Sequence, residues 1–297
     1  MPVVSTLLAT AVAALGLQTA VGIPSVALKS DIVYDLSGAI TFGICTLVSL
    51  YYPNVRAFGL KRLLENPKLL STFPSPLNFH PRQLIASGLV FIWAGRLGSH
   101  LFIRALKSGG DPRFEQIKKD PIKFSFAFLG QALWVTLTAL PVYAINAVPA
   151  ALQPALGWKD FLGLGIWAFG FAYEVIADRQ KTAHSQRVKE KKAEDEPFLR
   201  TGLWAKSRFP NYFGEVTLWS GLYVTSLGLL TSANLPSHVY PPWIALAAAS
   251  GPIFEYLLLT KASGIPPIEK HHDKKHGKNP EYQKYKRETP QFFPKFF

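Results

Sequence analysis

Two cations, Lys206 and Arg208, stand just ahead of Pro210, and Asn211, Tyr212 and Glu215 follow it. Proline suits the first position of a helix because the amide it lacks has no partner there. A helix is therefore expected to begin at Phe209 or Pro210, with Asn211 and Glu215 one turn apart on one face. The free N–H groups and positive dipole end of that helix, with Arg208 beside them, form a place where an anion such as a phosphate is stabilised. Glu215 then enters an apolar stretch whose nearby polar side chains are the hydroxyls of Thr217 and Ser220. A carboxylate in such surroundings needs a partner or a ligand.

A second acidic group closes the preceding apolar stretch in GFAYEVIADRQK. Glu174 and Asp178 share a face, next to Tyr173. They form either an interfacial salt-bridge network with Arg179, Lys181 and Arg187 or a contact to the polar head of a bound cofactor. Tyr173 and Glu174 are the catalytic candidates, on chemistry alone. Arg96 and His100, four apart, either pair locally or line a polar cavity. Gln131 and Trp134 read as helix–helix contacts. Glu255 either pairs with a basic group such as Arg96 or meets a ligand. The tail carries His271, His272, His276 and Asp273, but without the HExxH spacing of a zinc site. It reads as a solvated basic tail, or one docked on phosphates, and no metal is expected.

The elements that must position these residues are long and apolar. About 20 apolar residues cross a bilayer, and seven candidate spans follow: residues 4–21, 34–52, 84–103, 124–145, 161–176, 212–230 and 243–259. The connections after the third and fifth spans and the tail are rich in cations, while those after the fourth and sixth are nearly neutral. The positive-inside rule then places the basic loop and tail in the cytosol. The basic connection at 53–82 falls on the wrong side in this scheme. The expected fold is an all-α, polytopic membrane helix bundle, with N-terminal spans and a polar connection over 1–83 and a membrane domain over 84–297. Apolar runs of this length exclude barrel strands.

Bulk composition agrees. Of 297 residues, 48% are hydrophobic and 17% charged, against roughly 25% charged in soluble domains. The net charge is +13. Its placement in short blocks between apolar runs favours a membrane protein over a nucleic-acid binder. Cys45 is the only cysteine, so no internal disulfide forms. The chain lacks GxGxxG after a strand, GxxxxGK[ST], GxSxG and CxxC, which excludes Rossmann and P-loop nucleotide sites. No charged side chain precedes Lys29, so a first span is expected there in preference to a cleaved leader.

SRFPNYFGE, the span after it, and GIPPIEKHHDKKHGKNPEYQKYKRETP together resemble the C-terminal domain of the steroid 5-alpha-reductase family, within a superfamily that also holds sterol reductases and isoprenylcysteine carboxyl methyltransferases. AGRLGSHLFIRAL, GQALWV, YEVIADRQK and GLWAKSRFPNYFGE carry the likeness, which runs from about Leu84 to the C-terminus. The resemblance implies a multi-helix membrane enzyme, in the endoplasmic reticulum, that takes NADPH from the cytosolic side and reduces an activated carbon–carbon double bond. It implies cofactor contacts from Asn211 and Glu215, with Asp178, Arg187, Arg200, His272, Tyr285 and Arg287 at matching positions. Arg208 and Tyr212 lie within the same element. Arginines suit the phosphates of NADPH through paired hydrogen bonds. Two departures stand out. Phe209 replaces the family's histidine before the proline, and the family's catalytic acid and tyrosine, in its N-terminal half, have no counterpart here.

Three functions follow: an NADPH-dependent reductase of a lipidic enone or alkene, an S-adenosylmethionine-dependent methyltransferase of a lipid or prenylated substrate, and a non-catalytic membrane scaffold. Each expects the lipid bilayer and a hydrophobic small molecule as partners, and none expects nucleic acid.

Overall fold

The computed structural model describes residues 2–108, 110–111, 114–190, 197–233 and 235–295. The charged run 191–196, and Gly109, Pro112 and Arg113 of the GGDPRF turn, lie outside them. Among the described residues every regular element is helical. They are α1 (Pro2–Ala27), α2 (Tyr34–Phe58), α3 (Leu60–Glu65), α4 (Pro81–Ser108), α5 (Pro121–Thr138), α6 (Leu140–Ala147), α7 (Trp158–Lys189), α8 (Pro210–Leu230), α9 (Trp243–Ala248), α10 (Ser250–Leu257), α11 (Ile265–His276) and α12 (Pro280–Glu288).

Among the described residues five stretches are long and apolar enough to cross a membrane: Pro2–Ala27, Tyr34–Phe58, Pro81–Lys107, Trp158–Lys189 and Trp243–His276. α5 and α6 add a sixth if taken together as one span bent by 55°. The protein is therefore an all-helical, multi-pass membrane protein. The expected count of seven is not confirmed, and the assignment of the basic loop and tail to the cytosol depended on that count. The expected span at 212–230 does form a helix, α8, but it is not among the five. Its polar side chains explain why: Glu215, Thr225 and Ser226 are buried along one face with Leu218, Trp219, Leu222 and Leu229. A helix that buries a polar stripe against protein does not need the apolarity of one facing lipid. The expected span at 124–145 breaks after Thr138, where Pro141 opens α6. Proline ends a helical ladder by lacking its donor and crowding the preceding turn.

Contacts divide the chain into two units, Met1–Leu162 with Leu222–Gly251, and Gly163–Gly221 with Pro252–Phe297. In the first, α1, α2, α4, α5 and α6 pack side by side. Phe42, fully buried, meets Trp93 and Trp134 edge-on at 5.0 and 4.8 Å. Gln131 of α5 joins α2, accepting from Ser37 Oγ at 3.1 Å and donating to Tyr34 O at 3.1 Å. Asp120 caps α5, accepting from the amides of Ile122 and Lys123 ahead of Pro121.

The same unit holds a buried ion pair. Arg82 and Asp160 are each 1% exposed. Arg82 Nε donates to Asp160 Oδ1 at 2.6 Å and Nη2 to Oδ2 at 2.9 Å. Its remaining donors reach Ala155 O, Pro154 O and Gln153 Oε1 at 3.3, 3.1 and 3.4 Å. Gly157 N also donates to Asp160 Oδ2, at 2.8 Å, closing the first turn of α7.

Candidate functional site

In the second unit α7 and α8 run antiparallel and touch backbone to backbone. A Cβ at Gly170 would stand 2.5 Å from Leu218 N, one at Gly214 2.6 Å from Glu174 N, and one at Gly221 2.5 Å from Trp167 N. Glycine is the residue that permits this approach, and small residues are the usual way membrane helices close on each other. Gly163 and Gly170, and Gly214 and Gly221, are seven apart, so each pair lies along one stripe.

That contact sets two acidic turns side by side. Glu174 is 2% exposed and Glu215 7%, and the backbone of Glu174 lies against Gly214. One turn further, Asn211 Nδ2 donates to Asp178 Oδ1 at 3.2 Å. The pairs Glu174–Asp178 and Asn211–Glu215, each four apart, thus come together from two helices. Asn211 Oδ1 is buried and has no hydrogen-bond partner among the described residues. Tyr173 is 8% exposed and packs its ring edge-on to Phe213 at 5.4 Å. Its hydroxyl likewise has no partner among the described residues. A buried polar atom left so carries a desolvation cost that a bound group would remove.

The helix begins at Pro210, as the sequence implies. Just before it, Arg208 Nη1 pairs with Glu269 Oε1 of α11. The Arg208 Nε is buried without a partner among the described residues. Tyr212 stacks on Phe209 at 5.8 Å. Phe209, standing where the resembled family has histidine, is buried with Ile265 and Phe292.

The other residues singled out lie further round. Arg200 reaches Glu281 Oε2 at 2.6 Å in an exposed pair and lies over the Phe198 ring. Tyr285 Oη donates to Trp204 O at 2.6 Å, which ties α12 to the turn Gly202–Ala205. Burial holds the Tyr285 hydroxyl well above the ordinary phenol range, and burial with nearby Asp273 pushes that of Tyr282 up to about 12. Arg187 and Arg287 are exposed, and His272 is half-buried with its ring 6.4 Å from that of His276. Trp204 itself donates to Ala177 O at 3.0 Å and carries Lys181 over its face at 5.6 Å.

Sequence reasoning missed Glu269, Gln180 and the end of the chain. Gln180 accepts from Leu203 N at 3.0 Å and fills the space beside Gly202, which turns with φ of 62°. The tail is not simply solvated. Tyr282 and Phe292 are buried, and residues 290–295 lie along 206–208. A run of aromatic residues, QFFPKFF, in an otherwise basic tail was the available signal.

All but the last part of this region falls within residues 69–289, which match the family described as protein of unknown function (DUF1295). The chain belongs to that family. The uncharacterized protein C594.04c of Schizosaccharomyces pombe is 24% identical over 188 residues, a match that covers 56% of this chain and 54% of the relative. The chain thus spans about half the length of the curated relative it matches. No solved structure matches.

Proposed function

We propose that this membrane protein is an oxidoreductase that reduces an activated carbon–carbon double bond of a hydrophobic, enone-like molecule with NADPH. The buried Asn211 Oδ1, open beside Asp178 and Glu215 at the start of α8, carries this reading. The carboxamide would hold an amide or ribose group, with Asp178, Tyr212 and Glu215 around it. Arg208, through its open Nε–H, and the exposed Arg187, Arg200 and Arg287 would meet phosphates. Arg200 is held by Glu281 in an exposed pair, which binds weakly enough to exchange for a phosphate. His272 and Tyr285 complete the set drawn from the resemblance to steroid 5-alpha-reductases, which also implies the endoplasmic reticulum. When bound, NADPH supplies a hydride. The chain's own part is to polarise the substrate: the Tyr173 hydroxyl has a proton to donate to a carbonyl oxygen, and Glu174 offers a carboxyl group from the same turn.

One observation favours a second reading. Two of the arginines allotted to phosphates, Arg200 and Arg208, already face carboxylates. S-adenosylmethionine, which has no phosphate, would ask less of them, and the chain would then be a lipid or prenyl methyltransferase.

Detergent-purified protein titrated with NADPH by fluorescence, and with S-adenosylmethionine by calorimetry, separates the two. Asn211→Ala is expected to weaken NADPH binding about fivefold, the worth of one hydrogen bond. Unchanged affinity in both Asn211→Ala and Glu215→Ala overturns the cofactor assignment. Binding of S-adenosylmethionine alone selects the methyltransferase.

A further inference from the structure

Arg208 is held from two sides by the last residues of the chain. Its amide donates to Pro290 O at 2.9 Å. Its guanidinium meets Glu269 Oε1, and the other oxygen of that carboxylate accepts from Gln291 Nε2 at 2.8 Å. The two residues ahead of Arg208 are tied to the same segment. Ser207 Oγ donates to Phe292 O at 2.9 Å and accepts from Phe209 N at 3.2 Å, and Lys295 N donates to Lys206 O at 3.0 Å.

Phe292 anchors the segment. It is 6% exposed, packs with Phe209 and Ile265, and meets Tyr256 and Phe213 edge-on at 5.1 and 5.9 Å. An arginine on a loop samples many rotamers, and a carboxylate fixed by a second donor restricts it to one. The Arg208 Nε–H that remains open then points in a set direction.

We infer that residues 290–295 form a strap whose Gln291, acting through Glu269, positions Arg208 for an anionic ligand at the start of α8. This rests on the reading of that region as an NADPH site. Gln291 is a positioning residue and does not itself meet the ligand. Glu269 meets Arg208 through Oε1 while its Oε2 accepts from Gln291, and the guanidinium keeps its Nε–H.

The test uses full-length protein in detergent with NADPH as the probe. Gln291→Met keeps the side-chain length and the Phe292 anchor but removes the donor. It is expected to weaken NADPH binding about threefold, and Arg208→Met about tenfold, in line with the greater strength of charge-assisted bonds. The double variant should bind no more weakly than Arg208→Met alone, because the two act on one contact. The unfolding temperature of Gln291→Met should fall by no more than about 4 °C, the loss of one hydrogen bond, and Gln291→Asn should not restore binding because its amide falls short of Glu269. Additive effects overturn the inference. So does unchanged affinity in Gln291→Met while Asn211→Ala still loses binding. If Asn211→Ala and Glu215→Ala also bind NADPH normally, the cofactor reading has failed instead. Hydrogen exchange at the Arg208 amide then decides the strap: Phe292→Ala should speed it at least tenfold, the effect of local opening, and unchanged protection removes the strap as well.

Discussion

Arg82 and Arg208 are both paired with a carboxylate, and the two pairs are built differently. Arg82, in the first unit, places its five donors on five acceptors, and Asp160 is met by a further amide. Nothing is left over. Arg208, in the second unit, meets one oxygen of Glu269 and keeps a buried Nε–H without a partner among the described residues, three positions before the open Oδ1 of Asn211. A closed pair serves the fold, since every donor is consumed by the protein. A pair with donors to spare beside an unsatisfied amide has room for something else. Burial of a charge therefore does not by itself mark a site; the bonds still open to it do.

The comparison breaks most directly by removing each arginine. Arg82→Met leaves the buried Asp160 without its cation, and is expected to cost about 3–5 kcal/mol in unfolding free energy. Adding Asp160→Leu should recover much of it, because an apolar pair of similar volume avoids the desolvation cost. Arg208→Met leaves Glu269, whose side chain is 19% exposed and still bonded to Gln291, so its cost should stay below about 2 kcal/mol. Thermal unfolding in detergent reads both. Equal losses in the two variants would mean that both pairs are structural.

The glycine contact sharpens the same contrast from the side of the helices. Gly214→Val places a branched side chain 2.6 Å from Glu174 N, where only the backbone could yield. An overpacked site of this kind costs about 1–3 kcal/mol, and the shift should also part Asn211 from Asp178. Ligand affinity is expected to fall further than stability alone accounts for. Gly130→Ala, inside α5 at a position with open space for a Cβ, is the control: it should leave affinity unchanged and raise stability by up to about 1 kcal/mol.

Much of the second unit could be read from local spacing. Pro210 announced the start of α8, and the i, i+4 pairs Asn211–Glu215 and Glu174–Asp178 follow from helical geometry. That these pairs face each other could not be read, because the cause is a close approach at Gly170 and Gly214, 44 residues apart in the chain. The ties of Gln291 to Glu269 and of Arg82 to Asp160 are likewise long-range and leave no periodic trace. Two of the expected spans took forms that a count of apolar residues does not distinguish. Counting treats lipid and protein interior as the same solvent, so it gave no sign that α8 buries Glu215, Thr225 and Ser226 against protein. Pro141 stood in view within 124–145, but the apolar run continued past it and hid the bend between α5 and α6.

The smallest expected effect belongs to Arg200 and Glu281, and it separates a surface pair from the two buried ones. Their side chains are 40% and 62% exposed, so water and salt screen the attraction. The Arg200 guanidinium holds the Glu281 carboxyl below its ordinary value of 4.5. A lowered value means that the pair is intact above pH 4.5 and is lost only as acid titrates the carboxylate beneath it. At neutral pH Glu281→Gln should leave the unfolding temperature unchanged. It should free Arg200 for phosphate, so NADPH affinity is expected to rise, by no more than about threefold, and the gain should vanish as salt is raised. A fall in affinity would place Glu281 on the binding side of the site, and Arg200 would then be its partner in positioning, as Glu269 is for Arg208.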